Sequence, residues 1–150
     1  MFVTGVQTCA LPICEDILQR FETSTRAARI HYMRYVPDGS LAALYTGAAV
    51  LAVPSHYEGF GFPPLEAMAC GTPVVSSAGG SLPEVLGDAA AIVPDYDPAA
   101  WCTALGRAAT DDKLRSKLKP AGMACAATYR WEKTAAETWR VYRGETEAKV

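Results

Sequence analysis

Short apolar runs alternate with amphipathic stretches along the first two thirds of the chain. Residues 15–28 carry apolar side chains at helical spacing among Glu, Arg and Gln, which predicts a helix. Residues 30–36 alternate and are rich in aromatic and β-branched side chains, which predicts a strand. The continuously apolar run 48–53 is typical of a strand buried on both faces of a parallel sheet.

The same order of elements then repeats. The remaining predicted elements before Pro94 are helix 41–46, helix 63–70, strand 73–76, helix 82–86 and strand 89–93. After Pro94 the pattern predicts helices only, at about 97–109, 111–128 and 131–143. Strands separated by short helices predict βαβ units. We therefore expect an α/β fold: a partial Rossmann-like, doubly wound parallel sheet of about four strands with a C-terminal helical tail.

Composition narrows the function classes. The 150 residues are 50% hydrophobic and 20% charged, with a net charge of −2, as in an ordinary globular domain. A disordered chain is excluded, and the absence of a basic excess gives no reason to expect a nucleic-acid partner. No apolar run approaches the roughly 18 to 20 residues of a membrane-spanning helix. We expect a cytoplasmic protein.

The first 14 residues differ from the rest. They contain no Lys or Arg, and Gln7, Thr8 and Pro12 interrupt the apolar positions, so they do not form a secretory signal. The simplest interpretation is a non-native or disordered leader. The run GVQTCALPI also resembles a translated sequencing adapter, which would place the start of the native frame near Glu15. The predicted domain is therefore 15–150.

The stretch 54–71 carries the most informative chemistry. It joins a buried strand to a helix, so its loop is predicted at the carboxyl end of a parallel strand, where open α/β sheets bind ligands. Gly59 and Gly61 permit positive φ and close approach of a ligand to the backbone. Pro63 and Pro64 suit the first turn of a helix, whose free N–H groups attract anions such as phosphate.

Two carboxylates belong to this stretch. Glu58 lies in the loop, and Glu66, eight residues later, is expected in the first turn of the helix. Carboxylates accept hydrogen bonds from vicinal hydroxyls, so the pair suits a ribose and a sugar ring. The alternatives are a helix-stabilising charge for Glu66 and a solvated loop carboxylate for Glu58.

A second polar loop follows the next predicted strand. Its residues are Ser76, Ser77, Gly79, Gly80 and Ser81. Because the carboxyl ends of neighbouring parallel strands share one edge, this loop either contacts the same ligand or is a simple turn.

The motif E-G-F-G-x-x-x-x-E over 58–66, preceded by P-S and followed by A-M-A-C-G-x-P-V-V, resembles the retaining GT-B glycosyltransferases of family 4. The segment Leu82-Pro83-Glu84-Val85 and the helix that Trp131 opens resemble the same family. The resemblance covers roughly 15–143 and implies the C-terminal, donor-binding half of a GT-B architecture. It also implies a nucleotide-diphosphate sugar as donor, with no metal or other cofactor.

The resemblance implies roles for single residues. Glu66 would bind the ribose hydroxyls, and Glu58, as the catalytic residue, would contact the donor sugar. Amides around Gly59, Phe60 and Gly61 would hold the sugar. The diphosphate would lie near Phe62, Pro63 and Leu65.

Several parts of the family pattern are not matched. The Arg and Lys that neutralise the diphosphate lie upstream of the matched region, and no Lys precedes Lys113 here. The N-terminal domain that supplies the acceptor site is also missing, so we expect the fragment alone to be inactive. The motif is most similar to mannosyl-type relatives that use GDP-mannose. Many relatives act on lipid-linked acceptors, which raises peripheral attachment to the inner face of the membrane as an alternative to a solvated basic helical face. The rival function is a non-catalytic α/β nucleotide-binding or interaction module.

Overall fold

The computed structural model describes residues 15–33 and 35–145, and the predicted leader 1–14 lies outside them. The described elements follow the predicted order closely. They are α1 (Glu15–Thr23), α2 (Asp38–Gly47), β1 (Leu51–Val53), α3 (Phe62–Ala69), β2 (Val74–Ser77), α4 (Leu82–Leu86), β3 (Ala91–Val93), α5 (Pro98–Thr110), α6 (Asp112–Thr128) and α7 (Trp131–Tyr142). Single 3₁₀ turns lie at Ala27–Arg29 and Gly87–Ala89.

The sheet is parallel, in the order β1-β2-β3. Leu51 is opposite Val74, and Val75 is opposite Ala91. Helix α3 connects the first two strands and α4 the second and third, so each connection is a βαβ crossover. The predicted α/β class, Rossmann-like parallel sheet and helical tail are confirmed.

The predicted first strand is wrong. Within the described part of 30–36, which leaves out Arg34, no residue is in a strand. Alternation specifies a strand only where one face is buried and a neighbour accepts its hydrogen bonds. Here Tyr35 is 76% exposed and β1 pairs with β2 alone among the described strands. Over the residues that the structure describes, the sheet therefore has three strands rather than about four.

Helices cover both faces of the sheet. Val74 and Val75, adjacent on β2, are both fully buried and belong to different apolar clusters. Val74 packs with Met68 of α3 and Leu82 of α4, whereas Val75 packs with Trp101 of α5. Burial on both faces explains why β1, β3 and the first half of β2 are continuously apolar.

Side chains near the start of α6 cap this helix and connect it to the segment before β1. Asp111 accepts a hydrogen bond from the Leu114 N–H, 3.1 Å away, at the start of α6. The Arg115 guanidinium donates to the carbonyls of Ala49 (2.8 Å) and Ala108 (2.9 Å). Arg115 is therefore structural, unlike the solvated basic face expected of these helices.

Helix α7 ends the described chain as an exposed tail. Each of its residues is exposed, including Trp131 at 74% and Trp139 at 57%. Across residues 15–33 and 35–145, no helix has the length and apolarity required to cross a bilayer.

Candidate functional site

The loop between β1 and α3 brings the motif to the carboxyl end of the sheet. Gly61 precedes α3 with φ of +97°, a left-handed conformation that costs an L-residue about 1–2 kcal/mol. A Cβ on Gly61 would also lie only 2.9 Å from Leu82 Cδ2. The predicted positive φ is thus found at Gly61, but Gly59 is not among the positive-φ glycines. A Cβ on Gly59 would meet nothing within 4 Å, so its surroundings are open.

Glu58 is half-buried and held from two sides. The Ser55 hydroxyl donates to Glu58 Oε1 over 2.7 Å. The Glu58 carbonyl accepts from both the N–H and the hydroxyl of Ser81, each at 3.0 Å. Glu58 is therefore not the freely solvated loop carboxylate of the alternative interpretation.

The second polar loop supports the first one directly. The backbone of Gly79 and Gly80 lies against the backbone of residues 55–58 so closely that neither glycine has room for a Cβ. A Cβ on Gly79 would be 2.6 Å from the carbonyl oxygens of both Ser55 and His56. The buried Ser77 hydroxyl donates to the Ser55 carbonyl at 2.5 Å. These residues form more than a simple turn, because they brace the loop that carries Glu58.

Glu66 is presented from α3 and held by a tyrosine. The helix begins at Phe62, one residue earlier than predicted, so Glu66 is its fifth residue and lies beyond the first turn. The stabilising effect of an acidic first turn therefore does not explain it. The Tyr45 hydroxyl of α2 donates to Glu66 Oε2 over 3.2 Å. Burial, followed by the Glu66 carboxylate, raises the pKa of the Tyr45 hydroxyl, which keeps it a donor.

Two of the first helical residues of α3 cannot donate a backbone hydrogen bond to a ligand. Pro63 and Pro64 occupy the first turn as predicted, and neither has an N–H. Of the residues expected near the diphosphate, Phe62 and Leu65 retain one. Leu65 is also 7% exposed and packs into the core, so its side chain has a structural role.

An aromatic cleft of about 550 Å³ lies beside α3. Phe60 contacts Phe62 at 4.9 Å and Tyr129 at 5.4 Å between ring centroids, and Phe62 stacks on Trp131 at 6.2 Å. The cleft also includes Glu66 and Arg130. Phe60 and Phe62, two of the predicted site residues, therefore form part of its wall.

Two hydrogen-bond partners of the acidic pair, Glu58 and Glu66, were not predicted from the sequence. Tyr45 lies in the Leu-Tyr pair of α2, 21 residues before Glu66, and no local signal connects them. Ser55 lies three residues before Glu58, a spacing at which serine often makes local hydrogen bonds and which could have been noticed. Among the described residues, no group of three or more His, Cys, Asp and Glu side chains is placed to hold a metal ion.

The chain is similar in sequence to known proteins. Residues 19–124 match the family described as Glycosyl transferases group 1. The chain is 42% identical over 130 residues to the O-antigen chain mannosyltransferase B of Escherichia coli. This alignment covers 86% of this chain and 34% of that protein. It is 41% identical over 111 residues to a D-inositol 3-phosphate glycosyltransferase of Xylanimonas cellulosilytica. That alignment covers 73% of this chain and 27% of that protein.

A solved structure gives the same result. The sucrose-phosphate synthase of Thermosynechococcus elongatus superposes with a TM-score of 0.73 at 32% identity, over 87% of this chain and 33% of that one. The chain thus spans about a third of the length of these relatives. It belongs to the Glycosyl transferases group 1 family, and its Rossmann-like fold is of the GT-B type.

Proposed function

We propose that this chain is the donor-binding part of a retaining hexosyltransferase that uses a nucleotide-diphosphate sugar. The observation that carries the proposal is the pair of carboxylates on two elements of the sheet edge, each oriented by a neutral hydroxyl: Glu58 by Ser55 and Glu66 by Tyr45. Neutral donors orient a carboxylate without cancelling its charge, so both groups remain acceptors for hydroxyls. Two acceptors on separate elements suit a ligand with two polyhydroxyl parts.

The expected roles follow from this arrangement. Glu66 would accept the ribose hydroxyls and Glu58 a hydroxyl of the transferred sugar. The N–H group of Phe62, at the positive end of the α3 dipole, would face the diphosphate. No metal or other cofactor is proposed for this step, because dipoles and cations can stabilise a departing diphosphate.

GDP-mannose is the donor we propose to test first. The sequence motif resembles that of mannosyl-type relatives, and the Escherichia coli relative is a mannosyltransferase by name. We further propose that the acceptor site lies in an N-terminal GT-B domain and that residues 15–150 alone do not transfer sugar. A non-catalytic nucleotide-binding or interaction module is the competing proposal.

Calorimetry on the purified chain tests donor binding. GDP-mannose and UDP-glucose should bind weakly, and Glu66→Ala should weaken binding about 10-fold or more, as expected for loss of a charged acceptor. Glu137→Ala is the matched control, because Glu137 is an exposed carboxylate on α7. Binding heat that does not depend on Glu66 would favour the non-catalytic module. Turnover of either nucleotide sugar by the chain alone would contradict the proposed division of labour.

A further inference from the structure

Ser55 connects all three strands at the edge of the sheet where Glu58 lies. Its position follows the end of β1, and its carbonyl accepts hydrogen bonds from Ser77 Oγ at the end of β2 (2.5 Å) and from the Tyr96 hydroxyl after β3 (3.0 Å). Its own hydroxyl points forward to Glu58 Oε1 at 2.7 Å. The Ser55 carbonyl is thus held by the last residue of β2 and by a residue that follows β3, and its side chain is left for the carboxylate.

Glu58 is fixed at the other end of the same turn. Ser81 donates twice to its carbonyl, and Gly80 lies directly against it. Ser77, which anchors Ser55, is 1% exposed. Because residues 77–81 hold both ends of the 55–58 segment, the Ser55–Glu58 hydrogen bond has little freedom to rearrange.

We propose that Ser55 is a positioning residue for Glu58. It occupies Oε1 and leaves Oε2 to accept a hydroxyl of the donor sugar, and it removes the entropy cost of immobilising the glutamate side chain when the donor binds. This inference rests on the proposed function, because it assigns the sugar to Glu58. Ser77 and Tyr96 support Ser55 through hydrogen bonds to its carbonyl.

Comparing the binding of two nucleotides distinguishes a positioning role of Ser55 from a general effect on the stability of the fold. The complete 150-residue chain is titrated with GDP-mannose and with GDP, which has no sugar. Ser55→Ala should weaken GDP-mannose binding about 3- to 10-fold, because the carboxylate that accepts the sugar hydroxyl is no longer held in place. GDP binding should be unchanged, because GDP has no sugar for Glu58 to bind. Ser55→Thr keeps the hydroxyl and should restore the affinity. Ser116→Ala, an exposed serine on α6, is the matched control. Equal losses for GDP-mannose and GDP would overturn the inference.

A second measurement needs no ligand. Three-bond NMR couplings report the χ1 rotamer of Glu58 in the free chain, with one rotamer expected in the wild type and in Ser55→Thr, and rotamer averaging in Ser55→Ala. Unchanged couplings in Ser55→Ala would overturn the positioning role, whatever the calorimetry gives. If the wild type binds none of GDP-mannose, GDP and UDP-glucose while the couplings change as expected, the proposed function fails and the positioning of Glu58 by Ser55 stands.

Discussion

The contact between the two loops at the sheet edge can be tested by adding a single methyl group. Gly80 has φ of +60°, and a Cβ there would overlap the Glu58 carbonyl oxygen and lie 2.9 Å from the Glu58 nitrogen. The obstructing atoms belong to backbone that Ser81 holds by two hydrogen bonds, so they cannot turn aside as a flexible side chain would. Gly80→Ala should therefore force one loop away from the other.

The loss of unfolding free energy expected for Gly80→Ala has two parts. A left-handed conformation costs an alanine about 1–2 kcal/mol, and the displacement of packed atoms by an inserted carbon costs about 1–3 kcal/mol. Together they give about 2–5 kcal/mol, a large share of the roughly 5–15 kcal/mol that stabilises a typical domain.

Gly71→Ala is the matched control. Gly71 has φ of +74°, but the nearest atom to its Cβ position is Met123 Sδ at 3.8 Å, an ordinary contact. Only the conformational part applies, about 1–2 kcal/mol. The free energy of unfolding is measured by urea titration followed by circular dichroism. If Gly80→Ala costs no more than Gly71→Ala, the two loops are not in contact and the argument that Glu58 is braced fails.

Three further substitutions test separate parts of the fold. Arg115→Ala should lower the free energy of unfolding in urea by about 2–3 kcal/mol, because its charged hydrogen bonds to the carbonyls of Ala49 and Ala108 are lost; a change below 0.5 kcal/mol would show a solvated side chain. Gly106→Ala, on the open side of α5, should raise that free energy by about 0.5–1 kcal/mol, and a decrease would mean that the position is not open. Burial and the Glu66 carboxylate raise the pKa of Tyr45, so above pH of about 10 the unfolded state loses this proton first and stability falls as pH rises. Urea titrations from pH 8 to 11 should show a shallower fall in Tyr45→Phe, and an identical fall in both proteins would contradict the shift.

The sequence predicted the strands of the sheet and the helices that pack on both of its faces. The apolar run 48–53 and the helix 82–86 were placed within a few residues, because burial on defined faces imposes a pattern on the chain. The segment 30–36 has a strand-like pattern, but none of its described residues is in a strand, because pattern alone does not supply a pairing partner.

The candidate site divides in the same way. Sequence identified Glu58, Glu66 and the glycine and proline positions around them, and their binding roles remain predictions. It did not identify Tyr45 as the partner of Glu66, since the two residues meet only when α2 packs on α3. For the polar residues of 76–81, the sequence allowed either a ligand contact or a simple turn, and the structure shows that Gly80 and Ser81 brace Glu58.

The sequence by itself determined the class of fold, the order of elements, the family resemblance and the two carboxylates, because each depends on local spacing of side chains. Only the tertiary structure decided how many strands form and which hydroxyls orient the carboxylates. Those outcomes depend on groups distant along the chain: Ser81 meets Glu58 across 23 residues and Tyr96 meets Ser55 across 41. Parallel strands bring their carboxyl ends to one edge, and that geometry sets the contacts of the candidate site.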